Sequence, residues 1–445
     1  MRGIFMDQNY KKNYCFGLFL DEIDKVELRE IFILAKAKKK EFIKNKLDDL
    51  LKVIDEVSRL WMNDDQKIDF VFDNLKNIGF SKGMIKLAIN ELCRIFSYDN
   101  MVRRINKEFG DIRMLDQWIG QDIKLRAYPI GLLTHITPGN VFVSSIDSLL
   151  CGVLTKNINI IKTSSKVGNF WGLIWVETLK EVEKKLGMEG IISDNIAIIS
   201  YKDDIIDFLN QYNDGVVVWG NYDTIKFFSS NFDPKKKLIL YGPKYSICVL
   251  DSQTVEEVID DQNFFKALSW DVCLWEQRAC SSVQTVFIVG EIQKSLLEKF
   301  AENLSVAIRN FEIEQGELSF DEYTELFKFE EISMANEALN EGKYFERVFL
   351  DYSPGFFIGP LNRFVCVKNV YTLEMLKESL KDYSEILQSC SIRTKNTDEF
   401  IDVLSSIGIY RFVEIGSIGF SEIEAPHEGE FILRKFSKLI SRYKV

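Results

Sequence analysis

Histidine is nearly absent: a chain of 445 residues carries only His135 and His427. Two imidazoles cannot build a His-rich metal site, so no metal is expected, and they leave at most two candidates for an imidazole base. Paired cysteines are missing as well. Cys15, Cys93, Cys151, Cys248, Cys273, Cys280, Cys366 and Cys390 form no C-x-x-C pair and no metal-ligand spacing, which reads as free thiols in a reducing compartment. No stretch reaches the ~18 apolar residues of a membrane span. The opening MRGIFMDQNYKKNYCFGLFLDE lacks the apolar core and small-residue cleavage site of a signal peptide, so a cytoplasmic protein is expected. Nor is there a basic surplus. Lys and Arg number 56 against 67 Asp and Glu, a net charge of −11, and nucleic acid is not an expected partner.

No proline precedes Pro129, which separates a first zone from the rest. In that zone KAKKKEFIKNKLDDLLKVIDEVSRLWM places Phe42, Ile43, Leu47, Leu50, Leu51, Ile54, Val57 and Leu60 at helical spacing, and GMIKLAINELCRIF is a second amphipathic run. From Leu125 the pattern becomes short apolar strands alternating with helices. LRAYPIGLLTHI, NINIIK, NIAIIS, GVVVW and KKLIL read as strands, with VSSIDSLLCGVL, FWGLIWVETLKEVEKKL, DDIIDFLNQY and YDTIKFFSS as the helices. Alternation of this kind implies an α/β fold with a parallel sheet covered on both faces. A second α/β unit begins after Asp251, with helical VEEVIDDQNFFKALSWDVC, strand SVQTVFIVG and helix IQKSLLEKFAENLSVAIRNFE. The acidic stretch from Glu312 is expected at the surface, FFIGPLNRFVCVKNV returns to strand character, and the final EFILRKFSKLISRY reads as helix.

Four segments carry chemistry. THITPGNV, Thr134 to Val141, lies where a strand gives way to a helix. There Asn140 can offer its amide to an oxyanion or simply cap the helix. NIIKTSSK ends another strand, and Lys162, Ser164, Ser165 and Lys166 suit a ribose or its 2′-phosphate, or make an ordinary polar loop. In VVVWGNYDTI, Gly220 makes a corner where a pyrophosphate could meet a helix N-terminus, although single glycines after strands mostly form turns. In WEQRACSSVQTVFIV, Cys280 sits among small residues before a strand, where backbone dipoles can activate a thiol; a buried small hydrophobe is the alternative. Cys273, on an apolar helix, fits that alternative better.

Taken together and in order, HITPGNV, IIKTSS, EQRACSS, FFIGPLNRFV and the tail IGIYRFVEIGSIGF with PHEGEF resemble the LuxC-like acyl-CoA reductases, fatty-acid reductases of the aldehyde dehydrogenase superfamily. The resemblance spans about Leu125 to Val445. It implies Cys280 as nucleophile, with Asn140 and the Cys280 N–H as oxyanion donors, and Lys162 as the lysine that holds the adenosine ribose. Ser165 and Lys166 stand where NAD-preferring relatives carry a ribose-binding glutamate, so the implied cofactor is NADPH. The departures matter equally. In LYGPKYSICVL, Leu240 replaces the glutamate that activates water in hydrolytic relatives, Phe356 replaces a second glutamate near the nicotinamide ribose, and Ile225 replaces a glycine of the phosphate turn.

The resemblance implies an aldehyde-dehydrogenase-like α/β fold divided into a helical region, 1–120, packed on the cofactor domain; a Rossmann-like NADP-binding domain, 121–252; a catalytic domain, 253–389; and a segment, 390–445, returning to the cofactor domain or an oligomer interface. The implied activity is NADPH-dependent reduction of an acyl-CoA or acyl-protein thioester to the aldehyde through acyl-Cys280. It also implies a homo-oligomer and an acyl-protein synthetase or acyltransferase as partner. NAD(P)-dependent oxidation of a free aldehyde and a non-catalytic nucleotide-binding role are the alternatives. His135, five residues before Asn140, is the candidate proton donor to the departing thiol or nascent aldehyde, and His427 lies in the PHEGEF tail.

Overall fold

A computed structural model describes residues 12–75, 78–164, 168–353, 356 and 358–443. The chain forms two compact units, one of Met1–Ile78, Ala88–Gly242 and Glu422–Val445, the other of Gly79–Leu87 and Pro243–Ser421.

The first unit holds β1 (Asn13–Cys15), β2 (Leu18–Leu20), β3 (Ile123–Pro129), β4 (Leu132–Ile136), β5 (Ile158–Lys162), β6 (Ile196–Ile199), β7 (Gly215–Trp219) and β8 (Lys237–Tyr241). Its main sheet runs in the order β2-β1-β6-β5-β4-β7-β8, and β4 to β8 are all parallel. Parallel strands are covered by helices on both faces, which is why LLTHI, INIIK and IAII are almost wholly buried apolar runs rather than alternating ones. The chain starts in the middle at β4, builds outward to β6, then returns to place β7 on the other side. That reversal leaves a crevice at the carboxyl ends of β4 and β7, the place where doubly wound sheets bind ligands.

The helical first zone is present, with Lys25–Phe42 started by an Asp24–Glu27 capping box and Leu47–Trp61 burying Leu47, Leu50, Leu51, Ile54 and Val57 as their spacing predicts. Trp61 meets Trp171 of helix Phe170–Leu186 edge-on at 5.0 Å, so this zone packs on the parallel sheet's covering helices. The β1–β2 hairpin was not anticipated. It adds antiparallel strands to β6 through a turn at Gly17, whose φ of 105° suits glycine.

The second unit contains β9 (Tyr245–Asp251), β10 (Val283–Val289), β11 (Gly342–Phe345), β12 (Val348–Asp351), β13 (Val365–Val370), β14 (Leu387–Arg393) and β15 (Arg411–Val413), in the order β11-β12-β13-β10-β9-β14-β15. Only β11 pairs antiparallel. Helices Gln262–Cys273 and Lys294–Arg309 cover one face, and Leu373–Leu380 and Thr397–Ser405 cover the other. The acidic stretch forms helix Phe320–Ala338, largely exposed as expected.

Three sequence expectations need correction. The boundary drawn at 252 falls instead at Gly242, because β9 is hydrogen-bonded between β10 and β14. The segment from Cys390 does not return as a whole: Cys390 lies inside β14, and only Glu422 onward joins the first unit. The terminal run read as helix is helical only over Ile432–Lys435. It then becomes β16 (Ser437–Tyr443), because antiparallel pairing along all of β3 satisfies its backbone groups and overrides helix propensity. No described helix is long and apolar enough to cross a membrane.

Candidate active site

In the first unit, the parallel sheet gathers several expected site residues along its carboxyl edge. Ile136 at the end of β4 is in register with Lys162 at the end of β5, and the Thr137 N–H extends the pairing by donating to the Lys162 carbonyl at 3.1 Å. Asn140 follows in an exposed loop. The next helix, Ser144–Leu154, starts after Val143 without a side-chain cap, so Asn140 is not its cap. Lys162 is half-buried, and burial holds its ammonium below the usual lysine range, with Asp204 acting in the opposite sense. Ser164 continues the same loop; Ser165 and Lys166 lie outside the described residues.

Gly220 follows β7 and donates its N–H to the Tyr241 carbonyl at 3.1 Å. A Cβ there would stand 2.7 Å from Thr224, so glycine is required for the corner to close on helix Tyr222–Asn231. What Gly220 offers a pyrophosphate is therefore close approach rather than a donor. The donor set at this edge, a lysine, hydroxyls and a tight strand-to-helix corner beside the sheet's point of reversal, fits a dinucleotide. Leu240 lies next to the end of β8 and presents no carboxylate. Beside it Trp219 and Tyr241 stack at 4.0 Å, with the His427 ring 5.4 and 5.3 Å from them.

His135, the candidate proton donor, is a core residue instead. It is 0% exposed, with Nδ1 2.8 Å from Ser148 Oγ and Nε2 3.0 Å from Asn159 Oδ1. Because an amide oxygen only accepts, Nε2 carries the proton and Nδ1 accepts from the serine. Burial pushes the imidazole down to about 4, so it remains neutral at ordinary pH with both nitrogens engaged. The tentative catalytic role falls on that geometry.

In the second unit Cys280 lies three residues before β10. It is partly exposed, whereas the other seven cysteines are buried. Burial pushes Cys15, Cys93, Cys151 and Cys273 up to about 12, which leaves them as core thiols. The Cys280 carbonyl accepts from Ser246 Oγ at 2.8 Å, and Ser282 Oγ donates to the Leu274 carbonyl at 3.2 Å, closing the loop on both sides of the thiol. Phe356 packs on Tyr245 and Tyr383, each at 4.7 Å.

Sequence reasoning missed the residues that shape this loop. Trp275, Glu276 and Gln277 all have positive φ, at 59°, 52° and 60°. Left-handed backbone costs a non-glycine residue about 1–2 kcal/mol, so this turn persists only because its surroundings over-determine it. Glu276 and Arg363, 1% and 5% exposed, form a buried ion pair within hydrogen-bond distance. Nothing in WEQR or LNRF marks either the turn or the pairing, because both depend on segments 87 residues apart.

A doubly wound sheet in one unit, and in the other a largely parallel sheet with a partly exposed cysteine before its central strand, make up an aldehyde-dehydrogenase-like α/β fold. Solved neighbours agree. An NAD-dependent benzaldehyde dehydrogenase from Corynebacterium glutamicum matches with a TM-score of 0.73 at 12% identity, covering 99% of this chain and 100% of that one. The glyceraldehyde-3-phosphate dehydrogenase GapN from Methanocaldococcus jannaschii, solved with NADP, matches at 0.70 and 14% identity, covering 97% and 98%. The chain belongs to the acyl-CoA reductase (LuxC) family, whose model matches residues 42–439. It is similar to the long-chain acyl-protein thioester reductase of Photobacterium phosphoreum, 25% identical over 92% of this chain and 83% of the relative. The corresponding reductase of Photorhabdus laumondii is 26% identical over 89% and 82%.

Proposed function

We propose that this protein reduces a fatty-acyl thioester to the aldehyde through an acyl-cysteine on Cys280, with NADPH as reductant. The observation that carries the reading is Cys280 itself, the one partly exposed thiol of eight, held in a loop pinned on both sides. Cys280 Sγ attacks the thioester carbonyl, and the Asn140 amide and the Cys280 N–H donate to the oxyanion. Collapse breaks the bond to the carrier, whose thiol leaves with a proton, and the acyl group stays on Cys280. Lys162 and the Gly220 corner hold the cofactor, with Ser165 and Lys166 favouring a 2′-phosphate. Reduced nicotinamide, when bound, supplies the hydride. Asn140 then steadies the second oxyanion, whose collapse frees the aldehyde and restores the Cys280 thiolate.

Leu240 favours this reading over oxidation of a free aldehyde, since no carboxylate stands there to activate water against the acyl-enzyme. The names of the relatives favour an acyl-protein as the carrier, with acyl-CoA as the second choice. A cytoplasmic homo-oligomer supplied by an acyl-activating or acyl-transferring partner completes the proposal.

The test is a panel of acyl-CoA and acyl-protein thioesters of graded chain length, assayed with NADPH and NADH and followed by intact-mass measurement. Thioester-dependent NADPH consumption with an acyl adduct lost in Cys280→Ala is expected. An adduct that persists in that variant removes Cys280 as nucleophile, and CoA-free, aldehyde-dependent NADP reduction at the faster rate favours the oxidative reading.

A further inference from the structure

The loop carrying Cys280 abuts a second turn of the same unusual hand. Leu361, Asn362 and Arg363 have φ of 63°, 59° and 66°, matching the positive φ of Trp275, Glu276 and Gln277. Two runs of three left-handed residues, none of them glycine, are thus joined side chain to side chain. Arg363 Nε donates to Glu276 Oε2 at 2.8 Å and Nη2 to Oε1 at 3.0 Å, a forked pairing. Arg363 also donates to the carbonyls of Ile313 and Glu314, at 3.0 and 3.3 Å, and the Gly316 N–H donates to Glu276 Oε1 at 3.1 Å. One residue on, Gln277 Nε2 repeats the crossing, donating to the carbonyls of Val283 and Phe364, both at 2.8 Å.

A buried ion pair is a poor way to gain stability, because apolar side chains of equal volume usually do as well or better. It is a good way to fix direction. Apolar contact tolerates rotation, whereas a forked guanidinium–carboxylate pair holds both planes and, through them, both strained turns. Three residues separate Glu276 from Cys280, and the far side of the loop is tied by Ser246 and Ser282. With both ends fixed, the dihedral angles between them set the direction of the thiol.

We propose that the Glu276–Arg363 pair positions the Cys280 thiol for attack, locking two left-handed turns together so that the nucleophile is presented in one orientation. This rests on Cys280 being the nucleophile of the function proposed above. Glu276 and Arg363 are positioning residues and touch no reacting atom. Burial pushes the Glu276 carboxyl above the usual carboxylate range and Arg363 opposes that shift, so loss of the cation favours a neutral acid and an opened fork.

The test uses the full-length protein with two variants. Arg363→Lys keeps the charge and loses the fork; a doubly substituted E276L/R363L protein removes the charges and fills the space. The positioning role expects acyl-Cys280 formation by Arg363→Lys to slow by about 10²-fold at saturating thioester, with KM for the thioester and NADPH binding within about twofold of wild type. It also expects a changed pH profile of Cys280 alkylation by iodoacetamide. In the double variant the thermal midpoint stays near that of wild type while acylation stays slow. Wild-type acylation and an unchanged alkylation profile in Arg363→Lys overturn the proposal, as does a double variant that keeps both stability and acylation rate. A wild-type Cys280 that is alkylated but takes no acyl group sinks the reductase reading; the alkylation profiles of the variants then decide the positioning role by themselves.

Discussion

His135 Nε2 lies 3.0 Å from Asn159 Oδ1 across neighbouring parallel strands, and this contact converts one of the chain's two imidazoles from a catalytic candidate into a core fastening. Asn159 in turn donates to the Asn157 carbonyl at 2.7 Å, and Asn157 donates to the Phe436 carbonyl at 2.8 Å. The network therefore ties β4 and β5 to the segment that leads into β16.

The imidazole's fall from 6.5 to about 4 has a definite consequence for stability against pH. Above pH 6.5 the ring is neutral whether the chain is folded or not. As pH drops, the unfolded chain takes the proton first, so stability is lost between the two values, by up to ~3 kcal/mol. Urea midpoints at about pH 7.5 and about pH 5 should differ less in His135→Gln than in wild type. Turnover should show no titration step from His135 above roughly pH 6; a step abolished by that substitution would restore a catalytic role.

Gly152 allows the same contact. A Cβ on it would stand 2.0 Å from Asn159 Oδ1, inside a helix packed on the sheet. Gly152→Ala should cost about 1–3 kcal/mol of stability by overpacking, despite alanine's better helix propensity. Thermal unfolding of the variant checks the sign: a stabilised protein would mean that the asparagine moves aside freely.

The thiols should separate cleanly by access. Brief iodoacetamide treatment of the native protein, followed by peptide mapping, should label Cys280 first and leave the seven buried cysteines largely unmodified. Denaturant should expose all eight. Native labelling at Cys273 as fast as at Cys280 would contradict the distinction.

Under the proposed mechanism Asn140→Ala removes one oxyanion donor, so it should lower the rate of acyl-enzyme formation by about 10²–10³ while leaving NADPH affinity close to wild type. Single-turnover mass measurement with a long-chain thioester gives the rate directly.

Leu240→Glu should redirect the acyl-enzyme. A carboxylate at this position would activate water, raising hydrolysis by up to about 10²-fold and lowering aldehyde yield per thioester consumed. Equal yields from the two proteins would mean that Leu240 is not what protects the intermediate.

Much of the first sheet was legible because parallel strands buried on both faces must be continuous apolar runs, as in INIIK and GVVVW. The N-terminal helices were legible for a related reason: Leu47, Leu50, Leu51, Ile54 and Val57 recur at the helical period. Strands of three residues have no such signature, and β1 and β2 passed unnoticed. EQRACSS singled out Cys280, the one cysteine the fold leaves partly exposed, and the Pro-Gly-Asn turn singled out Asn140, which the fold leaves exposed. Glu276 and Arg363 looked like ordinary charges because their meaning lies in a partner 87 residues away.

The near-absence of histidine already pointed the expected chemistry toward a thiol, and the order of short motifs along the chain sufficed to name the family. Local pattern can do this because a strand's burial and a turn's composition are written in adjacent residues. Whether Leu439 and Ile440 continue a helix or pair as a strand with Ala127 and Arg126 is not local, and neither is the sheet that receives Tyr245–Asp251. Those outcomes follow from hydrogen bonds and burial gained between distant segments, which outweigh propensities of a few tenths of a kcal/mol per residue. The same long-range contacts buried His135 and held three left-handed residues in place ahead of Cys280.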